Sequence, residues 1–253
     1  MPVRLHKYLA SCGVASRRHC EQLMAEGRVE VDGVVRREPG TQVDPDVQEI
    51  RCNGKVVKPS SLAYLALHKP PGHVCTSDDP LGRPRAIDLI PPHLGRLYTI
   101  GRLDADSEGL ILLTNDGDFA QRLSHPRHHV HKVYELWLHE PLSDEDKKKW
   151  HRGIEDDGEL LRVLDLKPLA REPAGFGYRV VLGEGRNRHL RRLSERSGKK
   201  VLRLKRVAIG PLSIGPLKRS AWRHLTPAEI ASLTGSPESK PVQQKRVKPR
   251  PHR

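Results

Sequence analysis

The chain has 253 residues, enough for one large or two modest domains, and 36% of them are hydrophobic. It carries 45 Lys and Arg against 31 Asp and Glu. The resulting formal net charge of +14 indicates an anionic partner, for which nucleic acid is the usual candidate. We expect a soluble cytoplasmic chain, because no apolar run approaches the roughly twenty residues of a membrane span and charged residues interrupt any secretory leader. The four cysteines form no C-x-x-C pair and are typical of reduced, mostly buried thiols.

The first sixty residues predict two short helices followed by two hairpins. Apolar residues recur at helical spacing before Gly13, and Ser16 is a suitable N-cap for a second helix that ends near Gly27. The pairs at 32–33 and 53–54, Asp-Gly and Asn-Gly, are strong hairpin signals. Several cations lie off the apolar positions, where RNA phosphates could bind. These cations are Arg4, Lys7, Arg17, Arg18 and Arg28.

The segment 62–235 predicts a second domain that contains both strands and helices. Strands are expected within 65–67, 110–113, 133–138 and 178–182, with a turn at 115–117. A charged helix is expected around Trp150 and a basic helix over 188–197. Because no regular β-α-β rhythm is present, the pattern favours an α+β fold with a mixed, largely antiparallel sheet.

The predicted division of the chain is therefore 1–60, 62–235 and a C-terminal tail. The tail, 236–253, is rich in proline and basic residues and has no apolar periodicity. Such a composition predicts a disordered segment that adds nonspecific affinity for RNA.

The densest polar cluster, 101–109, alternates three acids before an apolar strand. It begins like a calcium loop, but Asn115 stands at the twelfth position, where a bidentate Glu is needed. A magnesium site for metal-assisted hydrolysis and a merely structural acidic turn are the open alternatives. A single catalytic Asp104 explains the surroundings better, because nearby cations such as Arg102 and those of 185–192 would keep its carboxylate ionised and nucleophilic.

A second candidate metal site is a run of histidines, His128, His129 and His131. No cysteine lies at zinc-ligand spacing from these histidines. Solvated or phosphate-facing side chains are the simpler interpretation, so we expect no metal site in the chain.

The first thirty residues resemble a known RNA-binding module. The pattern R-L-x-K-Y-L-A…G-V-A-S-R-R…L-x-x-x-G-R-V-x-V-D-G over 4–33 is similar to the S-four-type domain, named after a small-subunit ribosomal protein. This resemblance implies binding of structured RNA and no particular reaction.

Four ordered motifs resemble the RsuA/RluB-type ribosomal RNA pseudouridine synthases. The longest, G-R-L-D-x-D-S-E-G-L-x-L-L-T-N-D-G, spans 101–117. The turn K-P-P-G at 69–72, the strand K-x-Y at 132–134 and the element G-R-N-R-H-L-R-R at 185–192 are similar to the other family motifs. The resemblance covers 3–233 and implies a cofactor-free isomerisation of uridine to pseudouridine in folded ribosomal RNA.

Carried over by position, the resemblance assigns roles to individual residues. Asp104 would be the nucleophile, at the ribose or at the ring, and Tyr134 would stack on the target base and lie near the proton of carbon five. Arg191 would pair with Asp104, whereas Arg102 and Leu190 would shape the pocket. Two positions depart from the common pattern, Ser107 in place of Thr and His189 in place of Gln. The other cations of these motifs are expected to bind RNA, namely Lys69, Lys132, Arg186, Arg188 and Arg192.

Two alternatives to the isomerase remain open from the sequence. The chain could be a noncatalytic RNA-binding assembly factor, although pure binding would not need an acid in a basic groove. It could also be a metal-dependent RNA hydrolase, which EDTA would inactivate. We expect a monomer that acts on ribosomal RNA or a pre-ribosomal particle without a cofactor, with the large subunit slightly favoured over the small one.

Overall fold

The computed structural model describes residues 1–125, 130–170 and 175–235. Within these residues no helix is long and apolar enough to cross a membrane. The predicted disordered tail and two histidines of the histidine-rich run, His128 and His129, lie outside the described residues.

The described residues form six α-helices, two 3-10 turns and seventeen strands. The helices are α1 Leu5–Ser11, α2 Arg17–Ala25, α3 Gly117–Ser124, α4 Asp144–Arg152, α5 His189–Arg196 and α6 Pro227–Thr234, and the 3-10 turns are Ala86–Leu89 and Pro92–Leu94. The strands are β1 Val3–Arg4, β2 Val29–Val31, β3 Val34–Val35, β4 Gln42–Val43, β5 Ile50–Cys52, β6 Lys55–Val56, β7 Tyr64–Lys69, β8 Tyr98–Ile100, β9 Glu108–Thr114, β10 Lys132–Leu138, β11 Ile154–Asp156, β12 Glu159–Leu161, β13 Asp165–Pro168, β14 Phe176–Leu182, β15 Val201–Ile209, β16 Leu212–Ser213 and β17 Trp222–His224.

The N-terminal elements form as the local signals predict. The Ser16 hydroxyl accepts a hydrogen bond from the backbone N–H of His19 at 3.2 Å and caps α2. Asp32 and Asn53 adopt positive φ angles in the two hairpin turns. Helices α1 and α2 pack on the sheet β3-β2-β5-β6 through a core of their own that contains Leu5, Leu9 and Met24.

A large mixed sheet carries the rest of the described chain. Its strand order is β13-β14-β10-β15-β9-β7-β17, with β16 paired to β15 and β8 paired to β9. Only β9 and β15 pair in parallel among the described strands of this sheet. The expected α+β fold with a mainly antiparallel mixed sheet is therefore confirmed.

Both faces of this sheet are buried, which explains the unbroken apolar run in β9. Ile111 and Leu113 belong to one core, with Trp150 of α4 and Leu193 of α5, whereas Leu112 belongs to the core of the other face. Helices α3 and α6 cover that second face through residues such as Phe119 and Leu233. Successive residues of a strand point to opposite faces, so a strand covered on both sides is apolar throughout.

Two helices differ from the sequence prediction. The predicted turn at 115–117 is the beginning of α3, because the Asp116 carboxylate accepts backbone N–H groups of Asp118 and Phe119, both at 3.0 Å. Helix α6 was not predicted, although Thr226 and Glu229 form a complete capping box. In both cases the helix is only eight residues long, which leaves little periodicity to detect.

Candidate active site

A cavity of about 320 Å³ opens where the loop before β9 meets β10, β15 and the start of α5. Its volume lies in the range typical of small-ligand sites. Three of the four predicted catalytic residues line it, namely Arg102, Asp104 and Tyr134. The structure thus brings together motifs that are far apart in the sequence.

The three acids of the 101–109 segment have three different environments. Asp106 pairs with Arg191 at 3.1 Å, and the buried Glu108 pairs with Arg203 and with Arg219. Asp104 is the only one of the three without an ion-pair partner among the described residues, and it lines the cavity. The carboxylate that the family resemblance selects is therefore also the one that the fold leaves available.

The loop that carries Asp104 is fixed by hydrogen bonds to its backbone. The carbonyl of Ala105 accepts from the Gly72 N–H at 2.7 Å and from the Lys69 ammonium at 3.3 Å. The Leu103 N–H donates to the sulfur of Cys75 at 3.4 Å, and the Ser107 N–H donates to the Asp104 carbonyl at 3.1 Å. These contacts fix the position of the Asp104 main chain without using its carboxylate.

Lys69 lies in the interior and not at a surface that RNA could reach, in contrast to the sequence prediction. Its side chain is fully buried, and its ammonium donates to the carbonyls of Pro70, His73 and Ala105 at 2.9, 2.8 and 3.3 Å. An ammonium has three N–H donors, and all three are thus used inside the protein. Lys69 ties the 69–73 turn to the Asp104 loop, while burial lowers its pKa.

Arg191 also differs from the prediction, because its charge lies against Asp106 and not Asp104. Its guanidinium forms the ion pair with the Asp106 carboxylate and donates to the Asp106 carbonyl and the Ser107 hydroxyl, both at 3.3 Å. Arg191 is buried below the loop and outside the cavity lining. In this structure it positions the loop, and Ser107, the small departure from the family pattern, is one of its acceptors.

Strand β10 places Tyr134 and Lys132 on the same side, two residues apart, and both line the cavity. Tyr134 is opposite Arg206 in the β10–β15 register. Burial lowers the pKa of the Lys132 ammonium, and the neighbouring charge of Arg206 lowers it further. Tyr134 is 8% exposed and belongs to the core of the sheet, so only a small part of its side chain is accessible, at the cavity that it lines.

The start of α5 forms the opposite wall of the cavity. Arg188 adopts a left-handed conformation with φ of 48° immediately before the helix and is exposed at the cavity. His189 and Leu190 follow as buried wall residues. Burial lowers the pKa of the His189 imidazole, so the residue that replaces the common Gln is a neutral side chain near pH 7.

Three other predicted RNA contacts are engaged in ion pairs, and the loosest are those of Arg188 with Asp106 at 3.9 Å and with Glu195 at 3.8 Å. Arg192 is largely buried and bonds to Asp156 and to Glu159 on the β11–β12 hairpin. Arg192 therefore anchors α5 to this hairpin. The sequence had predicted that it would be exposed to RNA. Arg186 lines the cavity but pairs with Glu159 at 2.9 Å and with Glu184 at 3.1 Å, so its charge is largely compensated.

The predicted cations of the N-terminal part remain at the surface. Arg4, Arg17 and Arg18 are exposed. Lys7 pairs with Asp118 of α3 at 2.9 Å, and Arg28 bonds to the side chain of Asn53 at 2.6 Å and to a neighbouring glutamate. Three of the five thus keep a charge without an acidic partner among the described residues.

Arg206 is a cavity residue that the sequence analysis did not single out. Its Nε donates to the Leu110 carbonyl at 2.8 Å and one Nη to the Arg102 carbonyl at 3.3 Å. One feature of the sequence could have identified it. Arg206 directly precedes the apolar end of β15, where a strand that is buried on both faces is expected to contain apolar residues.

The described residues contain no group of three or more His, Cys, Asp or Glu side chains arranged to hold a metal ion. Their cysteines are free thiols, of which two are buried and two only partly buried, whereas most were expected to be buried.

Comparison with known proteins agrees with this geometry. The profile of a family described as RNA pseudouridylate synthase matches residues 63–196, and the profile of the S4 domain matches residues 3–48. A solved structure described as a pseudouridylate synthase has a TM-score of 0.64 and 28% identity, and the match covers 91% of this chain and 99% of the other.

Two curated relatives match nearly the whole chain. An uncharacterized RNA pseudouridine synthase of Mycobacterium leprae is 46% identical over 235 residues, covering 91% of this chain and 92% of the relative. The ribosomal large subunit pseudouridine synthase B of Bacillus subtilis is 38% identical, covering 91% and 95%. With the family profile and the sheet-bound cavity, these matches show that the chain belongs to the RNA pseudouridine synthases, which are isomerases, and carries an S4 domain at its N-terminal end.

Proposed function

We propose that this protein isomerises a uridine of large-subunit ribosomal RNA to pseudouridine in the cytoplasm, with Asp104 as the nucleophile. The substrate assignment is supported by the relatives in Bacillus subtilis and Vibrio cholerae, both named ribosomal large subunit pseudouridine synthase B. The observation that carries the assignment of the nucleophile is that Asp104, alone in its acidic run, lines the cavity and has no ion-pair partner among the described residues.

The reaction balances within the nucleotide itself. The bond between ribose C1′ and N1 of uracil breaks, a bond between C1′ and C5 forms, C5 loses its proton and N1 gains one. A carboxylate can form a covalent intermediate that divides this exchange into two steps. Asp104 would provide that carboxylate, and Tyr134 of β10, which also lines the cavity, would provide the surface on which the uracil rotates.

The target base must leave its stack to enter the cavity. Unstacking costs a few kcal/mol, part of which stacking on Tyr134 would offset. Arg102 is exposed, lines the cavity and has no acidic partner among the described residues, so it would attract the RNA backbone. Arg188 is exposed beside it, and Asp106 and Glu195 compensate part of its charge. The exposed cations of the S4 domain would add phosphate contacts remote from the reaction.

The test is carbodiimide-based mapping of pseudouridine in total RNA from cells with and without the gene. We expect one large-subunit site to disappear in the deletion and to return with the wild-type gene. An unchanged map would contradict the enzymatic assignment and favour an assembly factor, whereas a vanished site in another RNA would contradict only the substrate.

The nucleophile is tested with two matched variants, Asp104→Asn and Asp106→Asn. Because affinity is spread over many phosphate contacts, Asp104→Asn should bind the target RNA as the wild type does and lose all turnover. Asp106→Asn changes the same chemical group two residues away and should keep measurable turnover. Turnover by Asp104→Asn would refute the mechanism, and loss of wild-type turnover in EDTA would favour the hydrolase-type alternative.

A further inference from the structure

Two cations of the cavity, Lys132 and Arg206, have neither a role in the mechanism above nor an acidic partner among the described residues. Lys132 precedes Tyr134 by two residues on β10, and Arg206 is opposite Tyr134 on β15. Both line the cavity. The surface expected to receive the target base is thus bordered by two positive charges.

Arg206 is bound by only part of its guanidinium. It is 3% exposed, and its hydrogen bonds to the carbonyls of Leu110 and Arg102 use Nε and one Nη. The other Nη is buried and has no partner among the described residues, and no described acid forms an ion pair with Arg206. Hydrogen bonds to the two carbonyls require N–H donors, which a neutral side chain could also supply. These contacts therefore do not explain why a positively charged residue is buried at this position.

Lys132 has neither a hydrogen bond nor an ion pair in the described parts of the chain, although it is half-buried. Its ammonium is close enough to Arg206 for the guanidinium charge to lower its pKa, in addition to the effect of burial. Two partly desolvated cations near each other are unfavourable unless an anion joins them. The pair therefore has the properties of a binding site for an anion.

The cavity itself does not provide that anion. Its two acids are Asp104, which the reaction uses, and Glu184, which pairs with Arg186. The uracil ring is neutral in both substrate and product, whereas each nucleotide brings one phosphate charge with it. We propose that Lys132 and Arg206 bind the phosphate adjoining the flipped uridine. This inference rests on the proposed function in one respect, namely that the target uridine enters this cavity.

The test is a thermodynamic cycle between protein and RNA. The RNA is the shortest fragment that is still modified around the mapped uridine, whichever RNA that uridine belongs to. Neutral methylphosphonate linkages replace the phosphate on the 5′ or 3′ side of the uridine, one at a time. Wild type and Lys132→Met are compared for their dissociation constants and single-turnover rates on each RNA.

We expect one of the two neutral linkages to weaken wild-type binding about tenfold, and Lys132→Met to weaken binding of the normal RNA by a similar factor. Combined, the two changes should cost no more than either alone, because they remove the same contact. Lys132→Arg should restore most of the affinity. Arg206→Lys, which keeps the charge but shortens the reach, should show the same coupling with a smaller loss.

The matched control is Lys148→Met, at an exposed lysine of α4 remote from the cavity. The factor by which Lys148→Met changes the dissociation constant should multiply with the factor for the neutral linkage, because the two changes are independent. Multiplicative effects for Lys132→Met as well, or full affinity for both neutral linkages, would overturn the phosphate site. If wild type failed to modify any fragment, the proposed function would fail instead, so the two failures are distinguishable.

Thermal unfolding gives a second readout. Replacing a residue that serves only the fold destabilises the protein, whereas Lys132→Met removes a half-buried charge that has no partner among the described residues. We therefore expect its melting temperature to equal or exceed that of the wild type while affinity falls. A melting temperature several degrees lower would assign Lys132 to the fold and contradict the proposal.

Discussion

Lys69 is a buried cation whose ammonium has an acceptor for each of its three N–H donors. Three backbone carbonyls surround its ammonium, and two of them, from His73 and Ala105, belong to segments that meet only in the folded protein. Hydrogen bonds hold the ammonium, and the negative charges of Asp106 and Asp104 favour its charged form from a distance, although none of the described acids forms an ion pair with it. Such a residue fixes a loop and is not available to a ligand, which distinguishes it from Lys132.

Replacing Lys69 should therefore damage both the fold and the reaction. We expect Lys69→Met to lower the free energy of unfolding by about 2 kcal/mol, because carbonyls that were hydrogen-bonded become buried without donors. Turnover should fall with it, since the Asp104 loop loses one of its supports. The measurement is urea unfolding together with single-turnover rates. Lys55→Met, at an exposed position of β6, is the control, and equal stability of the two variants would contradict this role.

His189 makes the stability of the protein depend on pH. Its imidazole is 4% exposed, and burial places its pKa below that of the unfolded chain. The unfolded state thus binds a proton more readily, so the stabilising effect of a neutral His189 is complete above the unfolded pKa, about 6.5. It is lost as the pH falls from there through the folded pKa.

We expect His189→Gln to lose less stability than the wild type between pH 7.5 and pH 5, because Gln does not titrate. The readout is the difference in melting temperature between the two pH values. His224→Gln, which removes an exposed histidine of β17, should retain the wild-type dependence. An identical loss in all three proteins would show that His189 has no part in it.

At the scale of elements, the contact between β9 and β15 depends on Gly109. The residue has φ of +113°, and a Cβ built on it would lie 2.2 Å from the Arg206 carbonyl oxygen and 2.5 Å from the Arg206 nitrogen. Only a residue without a side chain lets the two backbones approach this closely. The glycine thereby brings Arg206 close to the loop that carries Asp104.

Gly109→Ala should consequently separate the two strands. We expect a loss of about 3 kcal/mol or more in the free energy of unfolding, measured with urea. Gly198→Ala is the matched control, because Gly198 also has a positive φ, +65°, but nothing lies within 4 Å of its Cβ position. That variant should lose only about 1 kcal/mol. Similar losses in the two variants would mean that backbone strain, and not the close approach, governs position 109.

The elements that the sequence predicted correctly are those determined by local signals. The cap at Ser16 and the two hairpin turns depend on residues only a few positions apart. The acid run with Asp104 was also identifiable, because its residue types are contiguous. In contrast, the ion pair of Arg191 with Asp106 spans 85 positions in the chain. Which of two neighbouring carboxylates a distant guanidinium reaches depends on tertiary packing, which residue types do not encode.

The same reason explains the remaining corrections. Lys69 and Arg192 belong to basic motifs, and the sequence alone gives a basic residue no sign of being buried. Only the structure shows that they are buried and names their partners. Lys69 donates to the Ala105 carbonyl, and Arg192 pairs with the Asp156 carboxylate. Arg206 was overlooked for a related reason. Its strand contains two further cations, Arg203 and Lys205, and the sequence does not show which of the three is buried.

At the scale of the whole molecule, a large share of the positive charge lies in the C-terminal segment and not at the catalytic cavity. The segment 236–253 contains six basic residues against a single acid, Glu238, so its removal lowers the formal net charge from +14 by five. Phosphate contacts made by such residues release counterions, and each contact steepens the dependence of affinity on salt. The segment contains none of the residues that line the cavity.

We expect a chain that ends at Gly235 to bind target RNA more weakly at low salt and to approach wild-type affinity at high salt. The slope of log K against log salt concentration should become less negative by about two to four. The single-turnover rate at saturating enzyme should be unchanged, because Asp104 and Tyr134 are untouched. A full-length variant with the six basic residues replaced by Gln separates charge from length, and it should behave as the shortened chain does. If it instead bound like the wild type, the contribution of this segment would have to come from its length or its other residues, and the high net charge would act through the S4 domain and the cavity alone.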